Sequence, residues 1–338
     1  MEKLRFAIFG TGFWSNYQIP GWLELDGVEC VAAYNRTKSK AQAVASKFGI
    51  SNVYDDAATL LENEDLDFVD ICTDVDTHLR FAEMAADKGL NVVCQKPLAA
   101  SLEAAEELVS VCRERDVRLF ANENFRWQAP LRKVKDIVDT GIIGDVFKVR
   151  ISFVSAFPVF ENQPFLADLD HFIVADVGSH ILDVVRFLCG EAKSIHCLTN
   201  RINPSIKGED VANCFMDMEN GIHCFAEMSY ASIMEKEQFP QTFVLLEGSK
   251  GSIVLDHGFE IRVTTRSGTE KETVAPKMYD WLDPEYALLH SSIVDTQKNI
   301  LEGLRGGEAE TTGEDNLKTV KLVWKAYESA ETGKIINL

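Results

Sequence analysis

The chain has 338 residues, 46% of them apolar and 26% charged, which suits a soluble protein with a real core and excludes a disordered or fibrous chain. Its 34 basic and 53 acidic residues give a net charge of −19, a field that repels phosphate backbones and anionic lipid and so argues against nucleic-acid or membrane partners. At roughly 100–200 residues per domain the length predicts two domains or one large one. No apolar run reaches the roughly 18 residues of a membrane span. The start, Met1-Glu2-Lys3-Leu4-Arg5, leads straight into a strand-like stretch without a signal-peptide pattern, so a cytoplasmic protein is expected. Eight cysteines form no CxxC pair and no His/Cys cluster, and most sit in apolar runs. They read as buried free thiols, with neither a disulfide nor a metal site expected.

In the first third, strands are predicted at Leu4–Phe9, Val28–Tyr34, Phe68–Cys72, Asn91–Gln95 and Arg118–Ala121. Helices are predicted between them at Lys38–Phe48, Thr77–Lys88 and Leu102–Arg115, the last capped by Ser101. Nearly continuous apolar strands alternating with helices indicate a doubly wound α/β layer with a parallel sheet. After about Glu123 the pattern changes. A helix near Leu131–Asp139, a strand near Phe147–Val154 and a strong helix over Asp176–Cys189 are followed by a meander between residues 194 and 275. Asn220-Gly221 and Ser267-Gly268 supply hairpin turns within it. Helices near Glu285–Gly303 and Gly313–Ser329 close the chain. The expected fold is an α/β chain: a Rossmann domain over 1–123, then an α+β domain over 124–338 with a large, open, mostly antiparallel sheet. The final helices are free to pack back on the first domain. Six meander strands without covering helices leave one sheet face for a partner copy, giving a homodimer or homotetramer.

The first strand runs into Gly10-Thr11-Gly12-Phe13-Trp14-Ser15 and then a helix. This is the dinucleotide-binding GxGxx(G/A) pattern with Ser15 in the third position, where only a small side chain is needed. Gly10 permits the tight turn, and Gly12 lets the backbone approach a pyrophosphate at the helix N-terminus. The second strand ends Tyr34-Asn35-Arg36-Thr37. Asn35 stands where an acidic residue would hold the ribose 2′-hydroxyl of NAD, and Arg36 beside it can receive a 2′-phosphate. The cofactor is therefore read as NAD(P), with a lean to NADP.

Four more stretches carry a resemblance. They are Thr73-Asp74-Val75-Asp76-Thr77-His78; Cys94-Gln95-Lys96-Pro97-Leu98; Asn122-Glu123-Asn124-Phe125-Arg126-Trp127, with Gly141-Ile142-Ile143-Gly144 beyond it; and Asp176-Val177-Gly178-Ser179-His180-Ile181-Leu182-Asp183. Together with the glycine loop they resemble the glucose–fructose oxidoreductase / inositol dehydrogenase / rhizopine-catabolism (Gfo/Idh/MocA) family from Leu4 to the final helix. The resemblance implies an NAD(P)-dependent oxidoreductase that moves hydride between nicotinamide and a secondary alcohol of a sugar, inositol or related polyol. It also implies that Lys96, Asp176 and His180 gather at the nicotinamide and substrate, and that Thr73, His78 and Gln95 lie by the cofactor. Some relatives instead hydrolyse glycosides with a tightly bound NAD, and others bind dinucleotide as non-catalytic sensors. Gln95 replaces the family's usual glutamate, Asp74 a frequent proline, and Phe172-Ile173-Val174-Ala175 a glycine pair.

On one helix at about 100° per residue, positions 176, 180 and 183 fall at about 0°, 40° and −20°, a narrow polar face. Val177, Ile181, Val184 and Leu188 make the apolar one. The face suits a histidine acting as acid–base with a carboxylate beside it, although a surface Asp–His pair of small worth has the same spacing. Lys96 at a strand end can steady a developing alkoxide. Glu123, Arg126 and Trp127 are candidates for sugar hydroxyls and C–H faces, with structural roles equally open. The loop Ala167–His171 is a further candidate.

Overall fold

The computed structural model describes residues 3–338, the side chain of Asn162 apart, so Met1 and Glu2 of the N-terminal reading lie outside the described residues. The chain forms two compact units, Met1–Asn124 with Ile293–Val320, and Phe125–Ser292 with Lys321–Leu338.

The first unit is built on β1 (Leu4–Phe9), β2 (Val28–Tyr34), β3 (Asn52–Tyr54), β4 (Phe68–Ile71), β5 (Asn91–Gln95) and β6 (Leu119–Asn122). All neighbours pair in parallel in the order β3-β2-β1-β4-β5-β6, the doubly wound dinucleotide-binding order, whose switch point lies between β1 and β4. The connections are α1 (Ser15–Leu23), α2 (Lys38–Phe48), α3 (Ala57–Asn63), α4 (His78–Ala86) and α5 (Leu102–Glu114). Local chemistry sets their ends. Ser101 Oγ accepts the Ala104 N–H at 3.2 Å, Asp56 Oδ1 accepts the Thr59 N–H at 2.8 Å, and Gly49 ends α2 at φ +72°. The edge of β6 is covered where the Ala121 N–H donates to Thr311 O at 2.8 Å. Trp22, Phe6, Phe68 and Phe120 fill the core with Ile300 and Leu301. The short β3 and α3 were not predicted: three half-buried strand residues give no period to read.

The second unit begins with α6 (Ala129–Asp139), β7 (Val146–Val154), α7 (Val159–Asn162), α8 (Ile173–Asp176) and α9 (Gly178–Cys189). Then come β8 (Ala192–Asn200), β9 (Val211–Met218), β10 (His223–Ser229), β11 (Phe243–Gly248), β12 (Gly251–Asp256), β13 (Glu260–Thr265) and β14 (Gly268–Thr273). The chain ends with α10 (Ala287–Leu304), α11 (Gly313–Thr332) and β15 (Ile336–Asn337). The sheet has nine strands in the order β14-β13-β12-β11-β7-β10-β9-β8-β15. Among the described strands of this sheet only β7 and β10 pair in parallel, so the sheet is mostly antiparallel as expected. Turns at Gly221 (φ +84°) and Gly268 (φ +134°) sit where hairpins were predicted. One face packs Val149, Ile151, Cys214, Met216 and Ala226 against Ile181, Val184 and Val185 of α9 and Leu322 and Ala326 of α11. On the other, Leu198, Phe215 and Phe225 stand exposed.

One helix differs from expectation. The run predicted as Asp176–Cys189 is broken: Asp176 closes the single turn α8, and α9 starts at Gly178. The chain stays right-handed through Val177 (φ −83°, ψ −37°), and the Ile181 N–H still donates to Val177 O at 3.0 Å. All eight cysteines are unpaired, seven of them buried. Burial pushes the Cys112 thiol up to about 12, which makes it a poor nucleophile.

Candidate active site

In the first unit the phosphate loop lies at the switch point. Gly10 has φ +93°, and a Cβ there would sit 2.6 Å from the Cys72 carbonyl oxygen and 2.8 Å from the Thr73 nitrogen. The loop after β1 therefore closes directly on the end of β4, which only glycine allows. Around Gly12 the opposite holds: a Cβ would meet nothing within 4 Å. Ser15 Oγ donates to Gly12 O at 2.7 Å and fixes the loop against the first turn of α1, which carries no acidic residue. Thr11 is buried, and its Oγ1 has no hydrogen-bond partner among the described residues. An open backbone cradle, a helix N-terminus without carboxylates and an orphaned buried hydroxyl fit a dinucleotide pyrophosphate. Phe13, Trp14 and Tyr17 gather beside it, with ring centroids 5.2–6.0 Å apart and Phe13 half exposed.

At the end of β2, the Asn35 side-chain oxygen accepts the Thr37 N–H at 2.9 Å, and Arg36 is exposed. At the end of β5, Gln95 Oε1 accepts the Lys96 backbone N–H at 2.8 Å. The residue in the usual glutamate position thus holds the lysine's main chain. The Lys96–Pro97 peptide is cis. His78 is 1% exposed, with Nδ1 3.2 Å from Leu98 O and Nε2 3.1 Å from Thr73 O. It ties the segment after β4 to the one after Lys96-Pro97, and both ring nitrogens face backbone carbonyls. Burial lowers its pKa, opposed by those carbonyls.

Behind the loop, Asp70 lies in the middle of the sheet with no exposed surface. It accepts from Trp22 Nε1 at 2.8 Å and Asn122 Nδ2 at 3.0 Å. Burial outweighs these donors and raises its pKa to about 6.

In the second unit, α9 brings His180 face to face with Phe125, ring centroids 3.9 Å apart and planes within 9°. Asp176 precedes it on α8. The polar face read from the sequence divides in two. Asp183 is buried in full and takes Arg126 through Nε at 2.7 Å and a terminal nitrogen at 2.5 Å. The charge chain continues through Arg186, paired with Glu191 at 2.8 and 2.9 Å. Arg126 and Asp183 thus form a bidentate buried pair that fixes α9 to the Phe125–Trp127 turn. The Arg132 guanidinium lies over the Trp127 ring, 4.2 Å from its centroid. Glu123, at the end of the first unit, has no exposed surface.

Sequence reasoning missed Tyr230, just past β10. Burial and then the Asp176 carboxylate push its phenol well above the ordinary range, which places it in the electrostatic reach of Asp176. Its ring stacks on Phe172, 5.8 Å between centroids. No local motif marks it.

Comparison with known proteins agrees with these features. Residues 4–123 match the GFO/IDH/MocA oxidoreductase family with NAD-binding Rossmann fold, and residues 131–254 match the GFO/IDH/MocA C-terminal domain. A D-apiose dehydrogenase of Rhizobium rhizogenes is 38% identical over 339 residues, covering 100% of this chain and 98% of the relative. One from Paraburkholderia graminis is 39% identical, covering 100% and 90%. An oxidoreductase from Agrobacterium radiobacter, solved in complex with NAD+, L-tartaric acid and magnesium, superposes with a TM-score of 0.97 at 38% identity, over 99% of this chain and 98% of that one. With both its Rossmann and its C-terminal domain matched, the chain belongs to the Gfo/Idh/MocA oxidoreductase family.

Proposed function

We propose that the chain oxidises D-apiose or a closely similar sugar with NAD(P) as the hydride acceptor. It is an NAD(P)-dependent oxidoreductase acting on the CH–OH groups of a sugar or polyol. The observation that carries the narrower substrate is identity of 38% and 39%, over all of this chain, to two proteins named D-apiose dehydrogenase. The unit built on β1–β6 is the dinucleotide-binding domain and the other the substrate domain. Gly10, Thr11, Gly12, Phe13 and Trp14 would hold the pyrophosphate, Asn35 and Arg36 the adenosine ribose, and Thr73, Gln95 and Lys96 the nicotinamide side. His78 acts on that side by bracing the Thr73 and Leu98 backbones.

When bound, the nicotinamide supplies the acceptor for the hydride. Oxidising a CH–OH group also releases a proton, and His180 receives it from the hydroxyl. Stacking on Phe125 fixes the ring plane. Asp176 stabilises the imidazolium, and the Lys96 ammonium steadies the oxygen as charge develops on it. Glu123, Arg126 and Trp127 support the substrate side, Arg126 by holding α9 through Asp183.

Arg36, with no carboxylate in the Asn35 position, favours a 2′-phosphate and hence NADP, whereas the Agrobacterium radiobacter oxidoreductase was solved with NAD+. Leu198, Phe215 and Phe225, 58%, 39% and 37% exposed on one face of the large sheet, support a homodimer or homotetramer formed through that face. Among the described residues no helix is long and apolar enough to cross a membrane, and we place the enzyme in the cytoplasm.

The test is a panel of aldoses, D-apiose, inositols, polyols and glycosides, each with NAD+ and NADP+, followed by reduced-cofactor absorbance and by release of free sugar from the glycosides. D-apiose is expected to turn over fastest. Glycoside cleavage without net NAD(P)H formation would overturn the dehydrogenase reading in favour of hydrolysis. A monomer in sedimentation at micromolar concentration would remove the oligomer.

A further inference from the structure

The turn that carries Asp176 lacks the glycine pair of its family, and it is held from outside. Four successive backbone N–H groups open α8, and each has a partner. Glu209 Oε2 accepts from Phe172 at 3.3 Å, the Glu209 carbonyl from Ile173 at 3.1 Å, and Glu209 Oε1 from Val174 at 3.2 Å. The Tyr327 hydroxyl of α11 accepts from Ala175 at 2.9 Å and donates its own proton to Glu209 Oε1 at 2.8 Å. The orphan donors of a helix start are thereby consumed by two residues that lie 35 or more positions away in sequence, three of the four by side chains. The Asp176 N–H closes the turn on Phe172 O at 2.8 Å. The Tyr327 ring also packs 4.2 Å from His171, the residue that leads into the turn.

We infer that Glu209 and Tyr327 are positioning residues for the reaction, a two-point brace that sets where Asp176 stands relative to His180 and Tyr230. This rests on the reading of Asp176 as part of the catalytic machinery. The brace replaces local rigidity with distant hydrogen bonds. Removing the Tyr327 hydroxyl strips Ala175 of its acceptor and Glu209 of a donor, while the ring and its packing stay. Such a change displaces Asp176 without deleting it.

The test is a double-mutant cycle with Tyr327→Phe and Asp176→Asn, assayed with NAD+ and D-apiose or the panel sugar that turns over fastest. Tyr327→Phe is expected to lower kcat about tenfold, within the span that small misplacements of reacting groups produce. KM and dinucleotide affinity should hold, and backbone amide exchange should quicken in residues 172–176. In the Asp176→Asn background the same substitution should add almost nothing, since the group it positions is already disabled. Glu209→Asp, which keeps the charge but shortens the reach, should lower kcat in the same non-additive way. If Asp176→Asn is slow but Tyr327→Phe turns over normally, or costs the same factor in both backgrounds, the brace is only structural and the inference falls. If Asp176→Asn itself turns over normally, the catalytic reading of Asp176 falls, and the inference with it.

Discussion

Gly10 and Gly12 stand two residues apart in one loop, and the structure demands opposite outcomes from substituting them. At Gly10 an added Cβ meets the carbonyl carbon and oxygen of Cys72 and the nitrogen of Thr73, all within 2.8 Å, and φ is +93°. These atoms are backbone at the end of a central strand and cannot rotate away. The positive φ costs an L residue about 1–2 kcal/mol and the forced displacement about 1–3 kcal/mol more, so Gly10→Ala is expected to destabilise by about 2–5 kcal/mol. At about 2–4 °C per kcal/mol that lowers Tm by about 4–20 °C. At Gly12 the same Cβ meets no protein atom within 4 Å, so Gly12→Val should change stability by no more than about 0.5 kcal/mol. The space it fills is that through which a pyrophosphate reaches the backbone, so NAD(P) affinity should fall at least about 100-fold, or about 2.7 kcal/mol. Differential scanning fluorimetry and titration calorimetry on the two variants separate the effects. A Gly10→Ala protein with native Tm would refute the packing argument. A Gly12→Val protein with native dinucleotide affinity would refute the phosphate loop.

Much of the first unit is legible in sequence because its strands are fully buried and nearly continuous in apolar residues, as in Phe68–Ile71, where even the polar member is inside. Ser101 announces α5 by its chemistry, and Asn220-Gly221 and Ser267-Gly268 announce their hairpins. The exposed β14, with no buried residue, carries no apolar period to read. Tyr230 gains meaning only from partners distant in sequence, Phe172 and Asp176. The wheel that set Asp176, His180 and Asp183 side by side carried the right spacing for His180 and Asp183, but helical spacing cannot show that Asp183 is claimed by Arg126, 57 residues upstream. Nor could it show the break at Val177, because Phe172–Ala175 is an apolar run with ordinary helix-compatible residues. The start of α8 is likewise set by Glu209 and Tyr327, and tertiary hydrogen bonds leave no local signature. The Gln95 replacement shows the same limit: a departure visible in sequence acquires its role only once its oxygen is seen on the Lys96 N–H.

The acid–base assignment predicts that His180→Ala lowers turnover by roughly 10²–10⁴-fold with dinucleotide affinity unchanged in fluorescence titration. Near-normal turnover would pass the role to Tyr230 or Lys96. Arg36→Ala should weaken NADP more than NAD, and equal losses by calorimetry would end the NADP preference. Asp70 yields a prediction about pH. Its folded pKa, about 6, stands above the roughly 3.9 of an unfolded aspartate, so between those values the folded state binds more protons than the unfolded. The group's favourable contribution is present below about pH 4 and is lost as pH rises through 6, a change of up to about 3 kcal/mol across that window. Asp70→Asn keeps the shape and removes the titration. The new amide will shift Tm by an amount set by how it meets Trp22 Nε1–H and the Asn122 amide, but that offset does not vary with pH. The quantity to measure is therefore the Tm of wild type minus that of the variant, which should decline steadily from pH 4 to pH 6.5 and then level off. Parallel curves across that range would mean that the donors from Trp22 and Asn122 outweigh burial, and that Asp70 is an ordinary ionised carboxylate in the folded protein.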